Sequence, residues 1–268
     1  MHLAAGMNEI IGYSCAALIG ITLGLTGSGG SILTVPLLVY LFHFSPLIAT
    51  SYSLFIVGTT SLVGAVNSYL NRLIDLRTAL LFGTSSMVTV FVTRKFILPL
   101  IPSHVATIGS YDISFSSLTM LFFALLMLLA SLSMIRSNTE VGKVIRKPKV
   151  KLIFYGFLIG IVTGFLGAGG GFLLIPALVL LLGLDMRKAV GTSLFIITIN
   201  SLIGFLGDSG HYAIDWEFLW LITAIAIAGI FIGSLFSKKI KGTNLKKVFG
   251  WFVLVVAAYI LVKEIFFS

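Results

Sequence analysis

The sequence GLTGSGGS at residues 24–31, followed by Pro36, is the stretch that decides how this chain folds. It interrupts a long apolar run with glycines and small polar side chains. A second copy, GFLGAGGG at residues 164–171, is followed by Pro176. Broken backbone inside apolar sequence is tolerated at membrane depth only where protein buries it or where it lines a cavity. The two copies therefore predict a pair of helix breaks that serve a purpose.

The two glycine-rich stretches belong to a longer internal repeat. Residues 19–76 align with residues 159–216 without a gap at an offset of 140, and 22 of the 58 aligned pairs are identical. The identities include glycine, proline and aspartate positions, which apolar helices do not share by chance. Repetition of a whole segment at a fixed offset indicates two copies of one structural unit.

The composition predicts an all-α, polytopic transmembrane protein. Only 10% of the 268 residues are charged and the mean hydropathy is +1.11, whereas soluble domains carry about 25% charged residues. The net charge of +9 comes from basic residues between the apolar runs, so it indicates orientation in a lipid bilayer and no binding to nucleic acid.

The apolar runs number five in each repeat and predict eight to ten membrane segments, some of them short or broken. They cover residues 8–26, 30–44, 47–70, 77–99, 113–135, 151–167, 171–183, 189–207, 217–237 and 246–266. A full span needs about 20 residues. The runs at 30–44 and 171–183 are shorter, and half-helices, tilted helices or arms of a re-entrant hairpin all remain open for them.

The distribution of lysine and arginine predicts the topology. We expect residues 1–135 to form the first membrane repeat, 136–150 a basic cytoplasmic linker, and 151–268 the second repeat. An odd number of crossings in each repeat makes the two repeats inverted, and it puts both termini on the non-cytoplasmic side of the cell membrane. Inverted repeats with broken helices are typical of secondary transporters, whose substrate binds near the midplane.

The glycine-rich breaks are the predicted substrate site. Glycine permits sharp turns and close approach of other atoms, and the free N–H groups at the start of the next helix attract anions. A competing interpretation is close helix packing, which we expect for the GxxxG pairs at 20–24, 160–164 and 229–233. The candidate substrate-binding residues are Thr26, Gly27, Ser28, Gly29, Gly30, Ser31, Gly167, Ala168, Gly169, Gly170, Gly171, Ser53 and Ser193.

Other polar residues have two interpretations each. The segments 51–53 and 191–193 either line a pathway or cap helices. Asp75 and Asp215 are expected to cap the helices that follow them. Asn67 and Asn200 are expected to form hydrogen bonds between helices. Arg94 either attracts anions or extends its charge to the membrane surface.

The sequence contains no catalytic, metal-binding or cofactor motif, so no enzyme activity and no cofactor are predicted. The GxGG match to a nucleotide loop is weak, because no strand precedes it and no lysine follows at the required spacing. No acidic residue lies at the centre of an apolar run, which argues against a carboxylate proton relay.

The doubled pattern G-x-x-G-x-G-G-(G/S)-x-x-x-x-P, at residues 24–36 and 164–176, resembles the sulfite exporter TauE/SafE family. The resemblance extends through residues 49–55 and 189–195 and through the Ile-Asp turns at 74–75 and 214–215. It implies a secondary transporter of small sulfur-containing anions, such as sulfite or sulfonates, across the cytoplasmic membrane.

Three alternatives remain open beside that function. They are a carrier of another small anion, a cation-coupled metabolite carrier of the same fold, and a membrane protein without transport activity. The expected partners are a small anionic substrate and the lipid bilayer, and a homo-oligomer is compatible with the sequence.

Overall fold

The structure, a computed structural model, is almost entirely helical. It describes residues 2–26, 30–101, 104–108, 111–136, 149–167, 169–208, 210–211, 213–237 and 242–266. The helices are α1 (His2–Thr26), α2 (Ser31–Tyr40), α3 (Pro46–Leu70), α4 (Leu76–Val92), α5 (Phe115–Arg136), α6 (Lys149–Leu166), α7 (Gly171–Pro176), α8 (Met186–Asp208), α9 (Trp216–Ser237) and α10 (Gly242–Phe266). A π-helical turn, Thr93–Ile97, and a 3₁₀ turn, Leu98–Leu100, extend α4, and a second π turn, Ala177–Leu181, extends α7.

The two short apolar runs are half-helices. Helix α2 has 10 residues, and α7 with its π turn runs from Gly171 to Leu181. At 1.5 Å per residue each is about 15 Å long, half of the roughly 30 Å hydrocarbon core. Each follows a long helix directly after a glycine-rich break. The structure thus favours half-helices over complete spans for the segments that the sequence left open.

Helices α3 and α8 show that the repeats are related by a two-fold axis. Gly64 of α3 packs on Leu194 of α8, and the same contact recurs 140 residues on, between Gly204 and Leu54. Residue numbers rise along α3 as they fall along α8, so the helices are antiparallel. An axis that exchanges antiparallel helices is perpendicular to them. The repeats are therefore inverted, as the sequence predicts.

The same symmetry relates two parallel helix seams. In one, α1 packs on α9 with glycine against backbone; in the other, α6 packs on α4. The first seam contains Gly20, Gly24, Gly229 and Gly233, and the second contains Gly160 and Gly164. A Cβ atom on Gly160 would lie 2.8 Å from the carbonyl oxygen of Ser86. These GxxxG pairs are packing seams, which confirms the packing interpretation for them.

The outer surface of the bundle is apolar. Large side chains such as Leu70, Trp220 and Trp251 are more than half exposed, as expected for helices that face lipid. Four of the described helices are long and apolar enough to cross a membrane by length and composition: Pro46–Leu70, Leu76–Leu100, Arg187–Asp208 and Trp216–Leu235.

A small antiparallel hairpin connects α4 to α5. Its strands are β1 (His104–Ile108) and β2 (Tyr111–Ser114). The apolar pattern did not predict it, because β1 lies outside the apolar runs and β2 overlaps only the start of the run at 113–135. The hairpin is confined to the connection between these two helices, so the protein remains in the all-α class.

Candidate substrate site

The second glycine-rich break turns in a conformation that favours glycine. Gly167, Gly169 and Gly170 have φ angles of 65°, 63° and 69°. Side chains other than glycine rarely adopt this left-handed region. The run of glycines therefore lets α6 end and α7 begin within a few residues.

This break lies against the crossing of α3 and α8. A Cβ atom on Gly169 would lie 2.5 Å from the Ser201 hydroxyl and 3.0 Å from Val57 and Ile197. Ser201 is fully buried, and its hydroxyl has no hydrogen-bond partner among the described residues. The symmetry places the centre of the bundle here, because Gly58 packs on Ser201 from the opposite repeat. A glycine turn and an unpartnered hydroxyl thus meet beside the two-fold axis.

The first break is described only in part and differs in its backbone. Gly30 has φ −66°, where its equivalent Gly170 has φ +69°. Ser31 begins α2 and is fully buried. Ser61, the equivalent of Ser201, is also buried without a described partner. The candidate residues Gly27, Ser28, Gly29 and Ala168, and the side chain of Thr26, lie outside the described residues.

Ser53 and Ser193 are not brought together. Because α3 and α8 are antiparallel, these serines lie on opposite sides of the crossing. Ser193 donates a hydrogen bond to the carbonyl of Val190 at 2.8 Å. The Ser53 hydroxyl is buried and has no described partner. Neither serine caps its helix, since both lie inside one.

The two aspartates act as helix caps, as expected. Asp75 accepts a hydrogen bond from the N–H of Thr78 at 2.8 Å, and Asp215 accepts one from the N–H of Phe218 at 3.1 Å. Capping of this kind satisfies N–H groups that the helix leaves free.

Each capping loop is also tied to the other repeat, which sequence reasoning missed. The hydroxyl of Tyr52 accepts a hydrogen bond from the N–H of Asp215 at 2.7 Å. At the equivalent positions, Thr192 accepts one from the N–H of Asp75 at 2.9 Å. The sequence signal for these contacts was a hydroxyl side chain at equivalent positions of the two repeats, a tyrosine in one and a threonine in the other.

A polar pair joins α4 to α8 inside the bundle. The Ser86 hydroxyl and the Asn200 side chain are 2.9–3.0 Å apart, and both residues are buried. This confirms the interhelical hydrogen bond expected for Asn200. The amide of Asn67 instead accepts a hydrogen bond from Asn71 within the same exposed stretch.

Arg94 is the largest departure from the sequence expectations. Its side chain is only 1% exposed, so it does not extend to the membrane surface. Its Nη1 donates to Asp208 Oδ2 at 2.9 Å and to the Thr50 hydroxyl at 3.2 Å. A buried ion pair in an apolar bundle marks a functional position by default. The sequence carried the arginine but no sign of its partner, because 114 residues separate the two.

Inverted repeats, half-helices at glycine breaks and a lipid-facing surface define the class of polytopic membrane transporters. Comparison with known proteins agrees. The family model "Sulfite exporter TauE/SafE" matches residues 13–260, and the chain belongs to this family of membrane transporters.

Two relatives matched over most of their length, and a third matched in part, support the assignment. A probable membrane transporter protein of Xylella fastidiosa strain 9a5c is 28% identical over 94% of both chains. The probable membrane transporter protein YdhB of Bacillus subtilis is 26% identical over 85% of this chain and 90% of its own length. One from Methanocaldococcus jannaschii is 36% identical over 40% of this chain and 43% of its own. No solved structure matches this chain.

Proposed function

We propose that this transporter carries small sulfur-containing anions, of the sulfite or sulfonate type, and binds them between its two glycine-rich helix breaks. The observation that carries the proposal is the contact of the Gly169 turn with the unpartnered, buried hydroxyl of Ser201 beside the two-fold axis. Transporters built from inverted repeats bind substrate at broken helices near the repeat interface.

The chemistry of the turn suits an oxyanion. Glycine leaves the backbone open to close approach, and a hydroxyl and backbone N–H groups are able to donate hydrogen bonds to the anion. Sulfite and sulfonate groups present several acceptor oxygens at once, so they are able to accept hydrogen bonds from donors on both sides of the turn. The name of the matching family model points to the same class of anion.

In this proposal the first break, residues 26–31, contributes from the opposite repeat. The basic linker at 136–150 and the loops that end in Asp75 and Asp215 assign the two sides of the membrane. The linker is cytoplasmic, and the end of the bundle at which α4 and α8 finish is outside. Exchange between the two sides follows from rocking of one repeat against the other.

The test is flux of radiolabelled sulfite into proteoliposomes. We expect Gly169→Ala to lower the flux about tenfold or more, because its Cβ would occupy the space beside Ser201 and a tenfold change costs only about 1.4 kcal/mol. The matched control is Gly210→Ala. Gly210 also has a positive φ, +92°, but nothing lies within 4 Å of its Cβ position.

Equal loss of flux in both variants would mean that backbone strain alone is responsible and would contradict the site. Wild-type flux no greater than that of protein-free liposomes would contradict the substrate class. Flux of carboxylates or sodium-driven flux of a metabolite, with none of sulfite, would favour the other carriers of this fold.

A further inference from the structure

The guanidinium of Arg94 uses only one of its three nitrogens. Nη1 binds Asp208 and Thr50, while Nε and Nη2 have no hydrogen-bond partner among the described residues, although both atoms are buried. Leaving a buried charged donor without a partner is costly. An ion pair evolved only for stability would satisfy these donors as well.

The two free nitrogens form one edge of the guanidinium plane. Nε–H and the outer Nη2–H point the same way and match two oxygens of a carboxylate, phosphate or other oxyanion. This side-on edge is the part of arginine that recognises planar or tetrahedral oxyanions. Asp208 leaves it free, because the carboxylate binds at Nη1.

Nη2 of Arg94, one nitrogen of this edge, lies against the second glycine break. A Cβ atom on Gly167 would collide with Nη2 of Arg94 and with Thr50, and Gly167 has the positive φ of 65° that favours glycine. Gly169 and its contact with Ser201 are two residues further along the same turn. The Arg94 guanidinium and the Ser201 hydroxyl therefore both approach the turn that contains Gly167 and Gly169.

We propose that the Nε–Nη2 edge of Arg94 is the charge-recognising group of the substrate site, and that it binds two oxygens of the transported oxyanion beside the Gly167 turn. This inference rests on the proposed function, since the second glycine break forms part of both the proposed substrate site and the anion contact of Arg94. It adds the residue that selects anions over neutral molecules of the same shape.

Asp208 has a second role in this arrangement. It holds Arg94 in place through the ion pair. Its negative charge also opposes a bound anion. The pair thus orients the arginine while keeping the anion from binding so tightly that it is not released.

The experiment measures ligand-dependent thermal unfolding of the purified full-length protein in detergent. The probes are sulfite and methanesulfonate, with dimethyl sulfone as a neutral molecule of similar shape. A ligand that binds the folded state raises the melting temperature by mass action, and its concentration dependence gives an apparent Kd. We expect the wild type to respond to both anions and not to dimethyl sulfone.

The first variant is Arg94→Lys, which keeps the positive charge beside Asp208 but removes the two-nitrogen edge. We expect anion binding to weaken about ten- to hundredfold, the range for loss of a charge-assisted hydrogen bond. Arg94→Gln with Asp208→Asn removes both charges together, so no lone charge stays buried. We expect this double variant to fold and to bind the anions no better than dimethyl sulfone.

The matched control is Lys95→Gln. Lys95 is exposed next to Arg94, with its ammonium 5.3 Å from the centre of the Phe91 ring. We expect its anion affinity to stay within about twofold of wild type, because exposed charges are screened by salt. An equal loss in this control would mean general attraction by basic residues and would overturn the inference.

The outcomes separate the inference from the proposed function. If the wild type binds the anions and Arg94→Lys and the double variant bind them equally well, the inference is wrong and the proposed function stands. If the wild type responds to neither anion, the proposed function fails and the inference fails with it.

Discussion

The two ends of the bundle differ although the two-fold axis exchanges the helices that form them: the π-helical turn Thr93–Ile97 at one end corresponds to regular α-helix in α9 at the other. At one end, α4 and α8 finish with Arg94 and Asp208 in a buried ion pair. At the equivalent positions of the other end, 140 residues apart in each case, the chain has Ser234 and Ser68. We refer to these as the Arg94 end and the Ser234 end.

The difference teaches that the fold does not need a charge at this position. The Ser234 end has two serines in place of the ion pair, and the Ser234 hydroxyl donates to the carbonyl of Phe231 in its own helix. Replacing a buried ion pair by uncharged residues is often neutral or stabilising. Our proposal therefore assigns the pair at the Arg94 end to anion recognition rather than to packing.

The largest expected effect tests the contrast between the Arg94 end and the Ser234 end. Arg94→Met leaves Asp208 buried without its charge partner, and we expect a loss of about 3–5 kcal/mol in the free energy of unfolding. Combined with Asp208→Leu, most of that loss should be recovered. Ser234→Ala at the other end should change stability by less than about 0.5 kcal/mol. Denaturant unfolding in detergent measures all three. Similar losses for Arg94→Met and Ser234→Ala would contradict the contrast between the ends.

A smaller effect is expected between α4 and α8. Ser86→Ala leaves the buried amide of Asn200 without its described partner, and we expect a loss of about 1–3 kcal/mol. The equivalent position is already alanine, Ala226, whose backbone packs on Gly20 as that of Ser86 packs on Gly160. Asn200→Leu together with Ser86→Ala should lose less than Ser86→Ala alone, because the amide itself is removed. Additive losses in the double variant would argue that the hydrogen bond is not the cause.

The smallest expected effect tests whether the hydrogen bonds to the two capping loops are equivalent under the two-fold symmetry. Tyr52→Phe and Thr192→Val each remove one hydroxyl that accepts from an aspartate N–H of the other repeat. We expect each to cost about 0.5–1.5 kcal/mol. The two costs should agree to within about 0.5 kcal/mol if the contacts are equivalent. Hydrogen exchange of the Asp75 and Asp215 amides, measured separately, would show whether each loop loosens only when its own hydroxyl is removed.

Much of the fold was predictable because the internal repeat can be recognised in the amino-acid sequence alone. The glycine, proline and aspartate positions that recur at an offset of 140 predicted the paired breaks, the inverted arrangement and the capping by Asp75 and Asp215. The strands at 104–108 and 111–114 were missed, since strands this short have no strong periodic signal and β2 overlaps the start of an apolar run.

The candidate site was predictable only in part. The second break lies against Val57, Ile197 and Ser201 of α3 and α8, and Ser201 was not among the candidate residues proposed from the sequence. Arg94 was expected at a helix end with two open roles. Its burial depends on Asp208 and Gly167, which approach it only in the folded chain.

The sequence by itself determined that this protein spans a membrane, that it contains two inverted repeats, and that each repeat is broken at a glycine cluster. Those properties follow from local composition and from the odd number of apolar segments per repeat. Only the tertiary structure decided which polar groups meet at the breaks. Hydroxyl, guanidinium and carboxylate groups from opposite repeats come together through antiparallel packing of α3 and α8, and no spacing along the chain encodes that approach.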